Sequence, residues 1–502
     1  MSSAHVSLFS FLSYDKKNAS SVYTHISIFS FHQLFSYLCT PKKELQTSNR
    51  HRITQRMNNV TDLKKQLNRL VFPILLETLL TFLLGGVDTF MLSQYSDDAV
   101  AAVGMDNQIL QLVFLLFTII NAGTSVLCSQ YFGAKLQDRF VAVSGVALLL
   151  NLTIGLLSSL CLFSFAGTIL SLMGLRPELM TDGIPYLQIV GGFAFAQAIT
   201  TTISAILRSA NKPIYPMMVI VVVNILNIIG NYTLIFGKFG MPALGAEGAA
   251  ISTSISRTVS MIMLIMMLQR KLIPRFPLRL FRPFPYHEMR KLLKIGLPSA
   301  GENISYNLQQ LVLIYFINMI GNEALAARIY VGNIVMFVYL YAICIAQGSS
   351  IMVGHLTGVE KNRASYVMGK FTWHRGSVVS MFFSVLCALC GPLITDYLTD
   401  NHEIAQLVCW CFWVDVLLEI GKCINIWATN TLRATGDIFF PFYVGIIVQW
   451  IVGVGFGYFF GIVFGFGLVG MWFAFVLDEN IRGIIFVQRW NSLKWIGKGF
   501  VK

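Results

Sequence analysis

Residues Pro73–Gly133 read PILLETLLTFLLGGVDTFMLSQYSDDAVAAVGMDNQILQLVFLLFTIINAGTSVLCSQYFG, and Pro298–Gly358 read PSAGENISYNLQQLVLIYFINMIGNEALAARIYVGNIVMFVYLYAICIAQGSSIMVGHLTG. The second stretch repeats the first without a gap. Pro73 and Glu77 return as Pro298 and Glu302, and 302 less 77 is 225. The Ala-Val-Ala-Ala run from Ala99 returns as Ala-Leu-Ala-Ala from Ala324, Gly123 as Gly348, and Gly133 as Gly358, all at that shift. Further along, Leu207-Arg208 with Pro216 returns as Leu432-Arg433 with Pro441. A sustained shift that keeps Pro, Glu, Arg and Gly in register marks a duplicated membrane bundle, an architecture many transporters use.

Composition agrees. The chain is 55% hydrophobic and 12% charged, against about a quarter charged in soluble proteins, and its apolar runs are too long and too many for a soluble core. The net charge of +13 does not point to nucleic acid, because the basic residues sit in loops beside apolar segments, where the positive-inside rule places them. Nine cysteines give no disulfide framework. Cys387 with Cys390, and Cys409 with Cys411, lie in apolar runs and read as small packing residues rather than metal or redox sites. Histidines are scattered, so no metal site is expected. Residues 1–56 lack a signal-peptide order and are expected to be a disordered tail or an over-extended reading frame, with Met57 as the native start.

A helix needs roughly 20 apolar residues to cross a bilayer. Twelve segments qualify: 70–92, 108–131, 140–165, 185–207, 215–236, 246–268, 293–320, 330–356, 371–397, 404–428, 440–460 and 464–487. They make an N-lobe at 57–268 and a C-lobe at 293–502, joined by a basic connector at 269–292. Basic loops alternate with acidic ones. Lys64, Lys65 and Arg69 precede the first span, and the loop after it carries Asp97, Asp98 and Asp106. The pattern predicts both termini on the cytoplasmic face of the cell membrane. Both halves then start on the same side, so they are parallel repeats, with the substrate path between them. The connector is expected to lie on anionic lipid.

Ionisable residues inside spans are costly and need a reason. Glu77 and Asp88 lie about three turns apart in the first span. Glu302 is the repeat partner of Glu77, whereas Asp88 falls opposite Leu313, so a site using Asp88 exists in one lobe only. The tenth span carries Asp415, Glu419 and Lys422 on one face, the twelfth Asp478, Glu479 and Arg482, and the fifth a stripe of Asn224, Asn227 and Asn231. One reading is cation handling: a carboxylate shielded from water loads and releases a proton nearer neutral pH, or joins Asn carbonyl oxygens to hold Na⁺. The other is interhelical hydrogen bonding and internal ion pairing. Asp88 fits the first reading best. Glu77, Glu302 and Asp415 fit both, as second-lobe or gating carboxylates. Glu419 with Lys422, and Asp478 with Arg482, suit local pairs. Arg208 and Arg433, at matching cytoplasmic ends, are expected to snorkel.

These residues resemble the MATE (multidrug and toxic compound extrusion) transporters of the MOP flippase superfamily. The resemblance lies in Pro73-x-x-x-Glu77, Val87-Asp88-Thr-Phe-Met, Ala99-Val-Ala-Ala-Val-Gly104, Ser129-Gln-Tyr-Phe-Gly133, Leu207-Arg208-Ser-Ala-Asn-Lys-Pro, Asn224-Ile-Leu-Asn227-Ile-Ile-Gly-Asn231 and Leu244-Gly-Ala-Glu-Gly-Ala-Ala-Ile-Ser252. The second half adds Gly296-Leu-Pro-Ser, Ala324-Leu-Ala-Ala and Leu432-Arg433-Ala-Thr-Gly-Asp437. Val469-Gly-Met-Trp472 through Asp478 and Arg482 is similar to a bacterial branch that includes a flavin exporter. The resemblance implies an all-α polytopic fold, with twelve helices in two six-helix pseudo-symmetric lobes around a V-shaped cavity. It implies an H⁺- or Na⁺-coupled antiporter that exports drugs, dyes or metabolites, acts as a monomer in lipid, and uses no cofactor beyond the coupling ion. The family's N-lobe cation site maps onto Asp88, Asn227 and Asn231. The last of these is a carboxylate in some members, and its loss here weakens the case for Na⁺.

Two other classes compete. A lipid or lipid-linked oligosaccharide flippase would carry more cationic residues in its cavity and often extra spans. A membrane-embedded enzyme would need a catalytic constellation, and no HExxH motif, Ser/His/Asp grouping or nucleotide loop is present.

Overall fold

The computed structural model describes residues 50–274, 282 and 284–501, with side chains from Leu63 onward. Residues 1–49 of the expected N-terminal extension, and Arg275 and Arg279 of the basic connector, lie outside the described residues. Residues 50–61 belong to a first compact unit and are helical. The second unit carries every feature that follows.

Among the described residues, seven helices are long and apolar enough to cross a membrane: α1 (Leu63–Ser93), α2 (Asp97–Gly133), α3 (Gln137–Leu172), α6 (Ile214–Phe236), α7 (Gly245–Lys271), α9 (Asn322–Gly358) and α13 (Phe439–Val463). Two further crossings are bent. A turn at Pro177–Leu179 and α4 (Met180–Gly192) meet α5 (Ala194–Ser209) at 44°, and α10 (Asn362–Leu389) meets α11 (Gly391–Leu398) at 60°. The remaining three, α8 (Tyr286–Ile320), α12 (His402–Thr435) and α14 (Gly467–Asn491), run 35, 34 and 25 residues. At about 1.5 Å per residue each exceeds the ~30 Å hydrocarbon thickness. They fall short of the others only in apolarity, because they carry the C-lobe's buried charges and amides. Together these elements are the twelve crossings of a polytopic all-α membrane protein.

The repeat is visible in the bends. Within α3 the backbone breaks at Phe165 (φ −117°, ψ 18°), and the α10–α11 break falls at Cys390, which is 225 residues on. The fourth crossing breaks the symmetry. It bends at Phe193, behind Pro185 and Gly191-Gly192, whereas α12 runs straight through Val416, Leu417 and Leu418 at the matching positions. Glycine and proline weaken a helix where branched and long apolar residues sustain it.

Local signals set the ends. Ser96 caps α2 by accepting from the Ala99 N–H at 3.4 Å, and Asp97 and Asp98 complement the helix dipole. Asn401 caps α12 through the Glu403 and Ile404 N–H groups at 2.9 and 3.3 Å. Gly436 closes α12 in the left-handed region (φ +94°), where the Lys498 carbonyl lies too close for any side chain. Leu149, Leu156, Leu157, Leu160 and Phe163 leave a broad face of α3 exposed, as suits contact with lipid.

The lobes meet along α2, which packs on α8 and α9. Glycines bring the backbones together in a symmetric pattern. Gly123 abuts Leu292, and Gly348 abuts Val71 and Leu67, with the built Cβ of Gly348 only 2.7 Å from Val71 Cγ2. Leu292 and Leu67 are themselves 225 apart. Gly133 abuts His355 and Gly358 abuts Gln130. Hydrogen bonds run across the same seam: Gln130 Nε2 donates to the Ala434 carbonyl at 2.7 Å, Tyr131 donates to Glu288 at 2.7 Å, and the Phe500 N–H donates to Gln130 Oε1 at 2.7 Å. A side chain at Gly123 or Gly348 must push the lobes apart. Gly123→Val and Gly348→Val are each expected to cost about 1–3 kcal/mol and to lower the melting temperature of purified protein, whereas Gly104→Ala, at a position with open space around it, should not.

Candidate functional site

Asp88 sits on α1 facing α6. Asn231 Nδ2 donates to Asp88 Oδ1 at 2.6 Å and also reaches Asn227 Oδ1 at 3.2 Å. Asn227 donates to Thr253 Oγ1 at 3.3 Å on α7, and its carbonyl accepts from Ser252 at 3.0 Å. One turn back, Asn224 Nδ2 donates to the Leu80 carbonyl of α1 at 2.9 Å. The spacing of three and four puts this stripe on one face, while Val221, Val222, Ile225, Ile228 and Ile229 turn outward and stay exposed. Helix α6 thus clasps α1 at two heights. The side-chain oxygens of Asn224 and Asn231 are buried without a donor, so the site keeps unused acceptor capacity beside the carboxylate. The three residues Asp88, Asn227 and Asn231 come together as a group.

Two buried residues elsewhere in the N-lobe depart from the expected picture. Asp106 was expected in the loop after the first span. The Ser96 cap starts α2 well before it, and Asp106 lies inside the helix, fully buried, with neither carboxylate oxygen partnered. Arg257 lies on α7 one turn beyond Thr253, whose hydroxyl accepts from Asn227. Its guanidinium carbon sits 5.2 Å from the Phe114 ring centroid, and its Nη1 is buried without a hydrogen-bond partner. The sequence signal was available: Arg257 is the sole base within 246–268.

The repeated Glu and Arg residues find each other. Glu77 on α1 pairs with Arg208 on α5 at 3.6 Å, and Glu302 on α8 pairs with Arg433 on α12. These are one ion pair seen twice, 225 residues apart. The expectation that Arg208 and Arg433 snorkel toward water gives way to pairing, because each side chain has a carboxylate within its lobe to reach.

The C-lobe holds a polar cavity of about 320 Å³. Glu302 and Tyr306 of α8, Lys422, Asn425 and Arg433 of α12, and Glu479 and Arg482 of α14 line it. Arg482 bridges Asp478 at 2.7 Å and Glu479 at 2.8 Å, and Asn425 donates to Glu479 at 2.6 Å. Lys422 pairs with Glu419 at 3.4 Å and lies 3.5 Å over the Tyr339 ring. Asp415 is buried off the cavity wall, where Ser384 donates to it at 3.4 Å. The structure therefore separates Glu302 from Asp415: the first faces the cavity, the second the α10 side. At the positions matching Asp88, Asn227 and Asn231, the C-lobe has Leu313, Val452 and Phe456, and Leu313 is buried.

Two homologous helical lobes, each with buried charge and a polar interior, define a membrane transporter. The chain belongs to the MatE family, whose model matches residues 73–233 and 298–459, the two copies of the repeat. It is similar to "Uncharacterized transporter YisQ" of Bacillus subtilis (strain 168), with 40% identity over 86% of this chain and 94% of that one. It is also similar to "Probable multidrug resistance protein NorM" of Thermotoga maritima, with 25% identity over 87% of this chain and 94% of that one. Among solved structures, a MATE transporter in the bent conformation superposes with TM-score 0.80 at 20% identity, covering 86% of this chain and 96% of that one. An outward-facing multidrug resistance MATE transporter superposes at 0.78 with 20% identity, covering 86% and 97%. The protein is a transporter and not an enzyme.

Proposed function

We propose that this protein is a cation-coupled antiporter that exports drugs, organic cations or related metabolites from the cytoplasm across the cell membrane. The observation that carries this reading is Asp88, held by Asn231 at 2.6 Å in one lobe of a duplicated transporter fold and replaced by Leu313 in the other. A single titratable group in an amide-lined site takes up and releases a small cation, and substrate exchange follows if its occupancy biases the lobes. The names of the relatives, multidrug resistance proteins among them, support export of varied small molecules.

The alternation of basic and acidic loops supports both termini lying in the cytoplasm. With that orientation the glycine contacts at Gly133 and Gly358 lie toward the cytoplasm, which supports release of substrate outward. The cavity cations favour an antiporter over a flippase: Lys422, Arg433 and Arg482 are each matched by a carboxylate, which leaves no unpaired base among the three to hold a lipid phosphate. The test is transport into proteoliposomes. Ethidium should move when a pH gradient or a Na⁺ gradient is imposed, and no movement under either gradient across a panel of cationic dyes, fluoroquinolones and flavins would overturn the reading.

A further inference from the structure

Residues 492–501 follow α14 and run across the seam between the lobes. On the C-lobe side Trp495 is buried and stacks on Trp490 of α14 with ring centroids 4.6 Å apart, and its Nε1 donates to the Trp490 carbonyl at 3.0 Å. Lys498 pairs with Asp437, just past α12, at 2.7 Å. On the N-lobe side the Phe500 N–H donates to Gln130 of α2 at 2.7 Å, and Arg139 of α3 donates to the Val501 carbonyl at 3.3 Å. Phe500 and Val501 pack against the core cluster that holds Leu127, Tyr131 and Phe140. The seam beneath is built twice. Gln130 Nε2 donates to the Ala434 carbonyl at 2.7 Å, and His355 Nε2 donates to the Ser209 carbonyl at 2.7 Å, since a carbonyl can only accept. Both 355 less 130 and 434 less 209 are 225, so each lobe sets one side chain on a helix end of the other. The segment 492–501 breaks this symmetry, because Gln130 holds the end of α12 with its nitrogen and Phe500 with its oxygen. Ser129, beside Gln130, is buried against Gly354 of α9.

We propose that residues 492–501 are a strap that holds this seam shut and weights the protein toward the state closed on the cytoplasmic side. The functional half of this rests on the antiporter reading, in which the lobes part here to admit substrate. The geometry gives the reason. Trp495 anchors the segment in the C-lobe, and Phe500 and Val501 anchor it in the N-lobe, so it cannot follow both lobes as they separate. Opening gives up either the tryptophan stack or the bonds from Phe500 to Gln130 and from Arg139 to Val501. One net hydrogen bond changes such an equilibrium by roughly fivefold, and the burial of Phe500 adds to it. A segment that binds one state only shifts the population toward that state.

The test is the rate at which a charged maleimide modifies Ser129→Cys in the purified full chain, counted above the same chain without that substitution. The seam covers this position, so its reaction reports opening and needs no transport. Adding Trp495→Ala should speed the reaction roughly tenfold, the factor that losing one or two net hydrogen bonds makes in an opening equilibrium. Phe500→Ala leaves the tryptophan stack whole and should speed it less; it decides the matter if Trp495→Ala does not fold. Cys411, buried within the C-lobe, should react no faster in either variant. An unchanged rate at Ser129→Cys in both variants, or an equal rise at Cys411, would overturn the proposal. The two readings fail separately: a seam that opens as expected in a protein that carries no ethidium under any gradient counts against the antiporter and not against the strap.

Discussion

Asp88→Asn is expected to abolish coupled efflux. In a pump-deficient bacterial host, cells expressing this variant should accumulate ethidium to the level of an empty-vector strain, while wild type keeps it out. The substitution is nearly isosteric. Its side-chain oxygen can still accept from Asn231 Nδ2, the bond that spans 2.6 Å in the wild type, so exchanging a charged acceptor for a neutral one should cost only about 1 kcal/mol of stability. What it removes is the carboxylate that faces the Asn227–Asn231 stripe and is able there to carry a proton or counter a cation. Expression and melting temperature should therefore stay close to wild type while transport disappears. That split separates a coupling role from a structural one. Asn231→Ala removes the donor but leaves the carboxylate, and should reduce efflux without erasing it. Wild-type efflux by Asp88→Asn, at matched expression, would take Asp88 out of the coupling role and move attention to the C-lobe carboxylates.

Much of this architecture is legible in the sequence because duplication writes it twice. The register of Pro73, Glu77 and Gly123 with Pro298, Glu302 and Gly348 signals two equivalent bundles, and apolar run length yields the crossings. Even the loss of symmetry at Asp88 can be read by aligning the halves. Side-chain partners are harder, since they depend on which helices adjoin, and a run of hydropathy carries no such information. Asp106 reads as a loop residue when spans are bounded by apolarity, because the polar first turns of α2 do not look like membrane helix, yet α4 covers them. Arg257 is hidden by the apolar run around it. Arg208 and Arg433 sit at span ends, where a long flexible side chain can turn to water or inward, and only the placement of α1 against α5, and of α8 against α12, shows that each finds a glutamate. Helices α8, α12 and α14 carry the buried charges that line the C-lobe cavity. Their weak apolarity is a signature of the site and not a defect in the span.

Removing Arg433 alone is expected to do more damage than removing it together with Glu302. In the folded chain these side chains are 15% and 11% exposed, and both face a cavity that already holds Lys422, Glu479 and Arg482. Arg433→Gln leaves Glu302 without its main counter-charge in a site walled off from bulk water. Breaking a buried pair in this way costs about 3–5 kcal/mol, whereas replacing both members by neutral groups of similar size is often close to neutral. The apparent melting temperature should thus fall by several degrees in Arg433→Gln and recover most of that fall in Arg433→Gln/Glu302→Gln. The repeat supplies an internal control. Arg208 and Glu77 form the same pair at a longer 3.6 Å and with 24% and 15% exposure, so water screens it more, and Arg208→Gln should cost less than Arg433→Gln. Equal effects from Arg208→Gln and Arg433→Gln would mean that both pairs do nothing but tie neighbouring helices together. A larger C-lobe effect that the double variant rescues would show that the cavity depends on its charge balance, with Arg433 and Glu302 each needing the other.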